Sequence, residues 1–227
     1  MRSIILLSAL FSLAACAEST PSQTADTPVE PPTMTMDKPT LDEPTLKDIS
    51  TSLESVLAAQ PEAVQARYPF RNPAQTLDFF GIESGMTVVE ALPGGGWYSK
   101  ILLPYLGEEG ELIGANYSID MQRLFSFRTP EQLKKLETWT TDWPETAATW
   151  VEGNNTPISG FFFGAQPEYM AGSADAVLFI RALHNFARFQ NEGNFLTTAI
   201  NDAYTALKPG GILGVVQHQM REESPDA

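Results

Sequence analysis

The run VVEALPGGGWYSK, Val88 to Lys100, decides how the rest of the chain is read. An apolar stretch reaches an acid, Glu90, and four residues later come three consecutive glycines, Gly94, Gly95 and Gly96, ahead of residues with helical character. Glycine has no side chain to pack and accepts backbone conformations closed to other residues, so three together mark a backbone that something approaches closely. A strand, a tight glycine turn and a helix form the repeating unit of parallel α/β sheets.

The same alternation extends on both sides. Thr87 to Leu92 leans apolar throughout, as a strand covered on both faces does. Ser99 to Leu106 then reads as a helix closed by Gly107, Glu111 to Asn116 as a second strand and Pro130 to Glu137 as a helix. Ala148 to Glu152 is expected as the third strand, Asp175 to Ile180 as the fourth and Ile212 to Val216 as the fifth. Asn194 to Leu207 is a helix ahead of a turn at Lys208-Pro209-Gly210-Gly211. Upstream, Leu46, Ile49, Leu53, Val56 and Leu57 give Leu46 to Gln60 helical spacing, ended by Pro61. Asn72-Pro73 supplies a cap and first-turn proline for a helix through Phe80, and Gly81 stops it. Between Asn154 and Gly172 the reading is an irregular segment, with Phe161, Phe162, Phe163 and Tyr169 packing beneath it or serving a substrate lid. The expected architecture is a doubly wound, mainly parallel α/β sheet whose ligand sits at the carboxyl ends of the strands, where the glycine run falls.

Composition excludes several classes. With 14 Lys and Arg against 28 Asp and Glu, the net charge is −14, a surface that repels a phosphate backbone, so no nucleic-acid partner is expected. One cysteine and two histidines permit no internal disulfide and no zinc cluster, and no metal is expected. G-x-S-x-G, H-E-x-x-H and C-x-x-C are absent, which removes the common hydrolase and metalloprotease readings.

The sole cysteine, Cys16, comes after Arg2, an apolar run from Ile4 to Leu13 and two alanines, the layout of a secretory leader too short to span a bilayer. Leu13-Ala14-Ala15-Cys16 resembles the lipobox of bacterial lipoproteins. That resemblance implies removal of residues 1–15 and lipidation of Cys16. With Ala17 after the cysteine, it also implies anchoring on the periplasmic face of the outer membrane. Several acyl chains anchor stably at about 0.8 kcal/mol per buried methylene. Thirteen of the 29 residues from Ala17 to Thr45 are threonine or proline, and none is aromatic, so 16–45 reads as a lipidated cysteine and disordered tether. Residues 46–227 form the folded domain.

The segment Glu90-Ala91-Leu92-Pro93-Gly94-Gly95-Gly96 resembles the first motif, [DE]-x-G-x-G-x-G, of class I S-adenosylmethionine-dependent methyltransferases. It matches at the acid and the last two glycines, with Leu92 in place of the first. FFGIESGMTVVE is similar to the family's lead-in, ALKPGGILGVV to its turn before the fifth strand, and DAVLFIRALHNF supports the same likeness, which runs from about Arg71 to His218. The resemblance implies a Rossmann-like sheet of order 3-2-1-4-5, without the family's last two strands, and a transferase acting on a small-molecule acceptor. It also implies S-adenosylmethionine as cofactor, with Glu90 near its amino group and Gly94, Gly95 and Gly96 along its methionine part. Asn116 and Asn154 stand near positions where family members carry acids for the ribose and the adenine. Ile180-Arg181-Ala182-Leu183-His184 lies just past the fourth strand, where methyl and acceptor meet. His184 is the candidate base and Arg181 the candidate anchor for an anionic group; a cap or packing role for His184 is the alternative. His218, Trp97 and Tyr98 are further residues that face the same crevice or pack plainly.

Two other readings stay open. Gly94-x-Gly96-x-x-Ser99 loosely matches the nicotinamide-dinucleotide fingerprint. A lipid-anchored binding or scaffolding protein that retains the fold without catalysis is the other. An apolar fifth strand ending the sheet also invites self-association.

Overall fold

The computed structural model describes residues 52–219; the leader, Cys16, the tether and positions 46–51 of the first expected helix lie outside the described residues. Four short helices lead in: α1 (Leu53–Ala58), α2 (Glu62–Gln65), α3 (Tyr68–Arg71) and α4 (Pro73–Phe79). Next come β1 (Thr87–Ala91), α5 (Ser99–Leu106), β2 (Glu111–Asn116), α6 (Ile119–Arg123), α7 (Pro130–Leu136), α8 (Trp139–Ala148) and β3 (Ile158–Phe162). The rest is β4 (Ala174–Ile180), α9 (Leu183–Arg188), α10 (Gln190–Gly193), α11 (Phe195–Ala206) and β5 (Leu207–Val216).

Every strand pair is parallel and the order is β3-β2-β1-β4-β5, the expected doubly wound, Rossmann-like arrangement. β1 is central: Val89 pairs with Ile113 of β2 on one side and Val177 of β4 on the other. Alternate side chains of a strand point to opposite faces, so each strand serves two cores. Val88, Leu112, Ala176 and Leu178 pack with Leu57, Leu77, Ile101, Leu102 and Trp143 from α1, α4, α5 and α8. Val89, Ile113, Phe161, Val177 and Phe179 pack with Met121, Phe186, Ala199 and Ala203 from α6, α9 and α11 on the opposite face. A fully buried Leu, Ile or Phe contributes about 1.5–3 kcal/mol each, and both faces hold several.

α5 shows how the lead-in helices are fixed. Pro104 lies inside it and lacks the N–H that would bond the Lys100 carbonyl. That carbonyl instead accepts from Gln60 Nε2 at 3.1 Å, tying the chain after α1 to α5. Gly107, at φ 71°, ends the helix.

Four expectations need correction. Ala148 to Glu152 is not the third strand: Trp139, Trp143 and Ala147 recur at helical spacing and form α8. The third strand is Ile158–Phe162, inside the stretch expected to be irregular, and it pairs with β2 from Leu112–Ile158 to Asn116–Phe162. Gly160 in this segment is a strand glycine with the Trp139 ring lying over it. Asn72 makes no side-chain cap bond; it adopts the left-handed conformation at φ 43°, and its carbonyl accepts from Thr76 N. The Lys208–Gly211 turn is absorbed into β5, where the register against β4 shifts between Ala174 and Ala176.

Candidate functional site

After β1 the chain passes through Leu92 at φ 58°, Gly94 at φ 54° and Gly96 at φ 74°, then enters α5. Leu92 holds the left-handed conformation for which glycine is the usual residue, at a cost on the order of 1–2 kcal/mol. Its N–H donates to the Ala115 carbonyl at 2.7 Å, and its side chain packs against the core on the α9 and α11 face. Leu92 thus holds a backbone conformation that glycine would adopt without strain.

The three glycines divide between two tasks. A methyl at Gly96 would overlap the indole of Trp150, so this glycine is needed for packing. Gly94 and Gly95 are exposed and line a cavity of about 500 Å³ at the carboxyl ends of β1 and β4. A methyl at Gly95 would meet nothing within 4 Å, so its missing side chain leaves open space there.

Glu90 forms part of the same wall and is 5% exposed. Ser99 Oγ, fully buried at the start of α5, donates to Glu90 Oε2 at 2.6 Å. Burial pushes the carboxyl up to about 7, against the Ser99 hydrogen bond and the charge of Arg71, which lower it. The result is a buried acid that exchanges its proton near neutrality and faces a cavity.

Arginine surrounds it. Arg67, Arg71 and Arg181 line the cavity together with Lys100, Trp97 and Tyr98. The Arg71 guanidinium lies 4.6 Å over the Trp97 ring, and the Arg71 carbonyl accepts from Tyr98 Oη at 3.0 Å. Burial, then the charges of Arg67 and Arg181, lower the Arg71 pKa from its usual value, while Tyr98 and Glu90 raise it. Sequence reasoning missed Arg67 and Arg71, although their four-residue spacing is the i, i+4 signal of one helical face.

Of the other expected residues, Arg181, at φ 60°, joins the cavity wall, and its Nε donates to His218 Nε2 at 3.1 Å. His184, exposed in α9, stands outside the lining; its Nδ1 is 3.2 Å from Gln217 Nε2 and its ring centroid 6.3 Å from that of His218. Asn116 does end β2, but its Oδ1 accepts from Tyr117 N at 2.8 Å and from Gln122 Nε2 at 3.4 Å. Asn154 is a correction. With β3 at Ile158–Phe162, Asn154 comes before that strand instead of after it, and lies near Leu103, Pro104 and Gly107 at the C-terminal half of α5. Its Nδ2 donates to the Thr156 carbonyl at 3.4 Å, at the opposite end of the sheet from Glu90. The residues directly after β3 are Phe163 to Gln166, and Gln166 Nε2 is buried with no partner among the described residues.

A second cavity of about 300 Å³ meets Gly94 from the other side, walled by Trp139, Trp143 and Trp150 with Arg128 and Lys135. Buried Gln122 positions Arg128, accepting from its Nε at 3.0 Å, and thereby links it to Asn116. Among the described residues no group of three or more His, Cys, Asp and Glu is placed to hold a metal ion.

No family model matches the chain, and no curated protein matches it. Solved structures do. A SAM-dependent methyltransferase from Aquifex aeolicus is 16% identical over 77% of this chain and 78% of its own, with a TM-score of 0.47. An arsenic(III) S-adenosylmethionine methyltransferase from Chlamydomonas reinhardtii is 20% identical over 70% of this chain and 46% of its own, at 0.37. The YcgJ protein from Bacillus subtilis is 15% identical over 68% of this chain and 53% of its own, at 0.41. The chain spans about half the length of these last two.

Proposed function

We propose that this chain is an S-adenosylmethionine-dependent methyltransferase acting on a small-molecule acceptor. The observation that carries the reading is Glu90: a buried acid at the end of the central strand, oriented by Ser99, facing a cavity beside exposed Gly94 and Gly95, with open space above Gly95. Those residues fit the cofactor. When bound, it supplies an electrophilic methyl group on a sulfonium. Ionised Glu90 would hold its amino group, and Gly94 and Gly95 would let the backbone close on its methionine part. The second cavity, across Gly94, offers indole surfaces for its adenosine part.

Methyl transfer depends mainly on holding the acceptor in line, with a base where the nucleophile must lose a proton. We assign Arg181 to the acceptor and His184 to the base. For that role His184 Nδ1–H must donate to the Gln217 side-chain oxygen, which a turned terminal amide provides, leaving Nε2 free to accept a proton.

The nicotinamide reading fares worse, because the dinucleotide fingerprint needs the backbone at its second glycine open to a pyrophosphate. At that position, Gly96, the Trp150 ring fills the space.

Calorimetric titration with S-adenosylmethionine tests the proposal. Saturable binding is expected, weakened at least about tenfold by Gly95→Val, which places a side chain in the cavity without a left-handed backbone penalty. A folded chain that takes up none at millimolar concentration sinks the reading, and undiminished binding by the variant moves the site elsewhere. We further propose, from the lipobox-like Leu13–Cys16, that the enzyme is anchored through Cys16 on the periplasmic face of the outer membrane. Incorporation of a labelled fatty acid should disappear in Cys16→Ser; retained label would overturn the anchor.

A further inference from the structure

The cavity beside Glu90 carries more positive charge than the cofactor needs. Arg67, Arg71, Lys100 and Arg181 are four of the 14 Lys and Arg in a chain of net charge −14, and Glu90 is the one acid in the same wall. The ion pairs among the described residues are Arg123–Asp120 and Lys208–Asp175, so none of the four is neutralised there. Lys100 is turned aside, its ammonium 5.2 Å from the centre of the Trp150 ring. The three guanidiniums remain.

Arg71 and Arg181 are held in place without being satisfied. Arg71 rests on Trp97, and its Nε is buried with no hydrogen-bond partner among the described residues. Arg181 spends its Nε on His218, which leaves its terminal nitrogens for a ligand. Arg67 lies one helical turn before Arg71. Crowding three like charges around a single acid is unfavourable, and a ligand that supplies further negative charge relieves it. S-adenosylmethionine does not supply it, since its carboxylate is outweighed by an ammonium and a sulfonium. Guanidinium forks suit oxyanions, binding phosphate or carboxylate through paired N–H groups.

We infer that the methyl acceptor is a small molecule carrying a multiply charged oxyanion, a phosphate or clustered carboxylates, gripped by Arg67, Arg71 and Arg181. As a statement about an acceptor this rests on the methyltransferase reading; anion binding by the arginines stands apart from it.

Titration of the purified full chain at low ionic strength with pyrophosphate and, separately, with citrate tests it, and the tighter of the two indicates phosphate or carboxylate chemistry. Saturable submillimolar binding of at least one is expected. Arg71→Gln should weaken it at least about tenfold, while Lys134→Gln, on the exposed face of α7, should leave it unchanged. Exposed Arg67→Gln serves as the second variant, should loss of Arg71 disturb folding as read by thermal melting. Failure of both anions to bind, or indifference to both arginine variants, overturns the inference. So does mutual displacement of anion and S-adenosylmethionine, because the arginines would then serve the cofactor's own carboxylate; simultaneous binding supports it. Anion binding without S-adenosylmethionine binding leaves the anion site standing and removes the methyltransferase reading. The reverse removes the anion site alone.

Discussion

Glu90 shows what one residue's surroundings do to its chemistry. In the unfolded chain its carboxyl has the ordinary value of 4.5, and in the fold burial brings it to about 7. The folded form therefore holds its proton more tightly. Glu90's contribution to stability is fully present below about pH 4.5 and is lost as the pH rises through about 7, a change on the order of 3 kcal/mol. Glu90→Gln keeps a polar group for Ser99 but has no proton to lose. Urea unfolding should show the variant gaining on the native chain between pH 5 and pH 8, and a gap that does not vary with pH would refute the shift. The same titration governs ligand binding, because only the ionised carboxylate can pair with an ammonium. The acid and the glycines were readable from the sequence; the strain at Leu92 was not, since a leucine in left-handed backbone leaves no mark in composition.

At the scale of elements, α8 is laid across the sheet by a fitted row of large and absent side chains. Trp139 lies over Gly160 of β3, Trp143 over Gly114 of β2, and Trp150, just past the helix, over Gly96 after β1. Trp143 and Trp150 each need a glycine below them and Trp139 sits tightly over one, which accounts for glycines inside two strands where they would otherwise weaken pairing. Gly96→Ala should destabilise the chain by about 2–4 kcal/mol, combining overlap with Trp150 and the penalty of a side chain at positive φ. With Trp150→Ala in the same chain, chemical denaturation should give a total loss smaller than the sum of the single losses; strict additivity would dismiss the pairing. This complementarity also accounts for the misplaced third strand. Trp139, Trp143 and Ala147 announce a helix by spacing alone, whereas Gly160 earns its place through a ring 21 residues earlier in the chain. Only the assembled sheet brings the two together. The strands Glu111–Asn116 and Ala174–Ile180 were readable almost to the residue because buried parallel strands are apolar throughout.

For the whole molecule, the alternation of elements predicted a doubly wound parallel sheet and the location of the cavity, and the family resemblance implied the strand order, but neither foretold the cavity's charge. Arg67 and Arg71 bracket α3, which buries no residue, and only tertiary packing brings them to Arg181. Net charge is a poor guide here, since an acidic surface keeps a cationic cavity. β5 ends the sheet among the described residues, with Leu213 42% and Val215 41% exposed. An apolar edge of this kind pairs readily with another chain. Sedimentation should show concentration-dependent association that Val215→Lys reduces, and a native chain that stays monomeric at high concentration would argue against this edge as a contact. The four tryptophans of the chain all border the two cavities that meet at Gly94, Trp97 on one and Trp139, Trp143 and Trp150 on the other. Intrinsic fluorescence of this protein is therefore a label built into the site. Its quenching or blue shift can track ligand entry directly, with no background signal from tryptophan elsewhere.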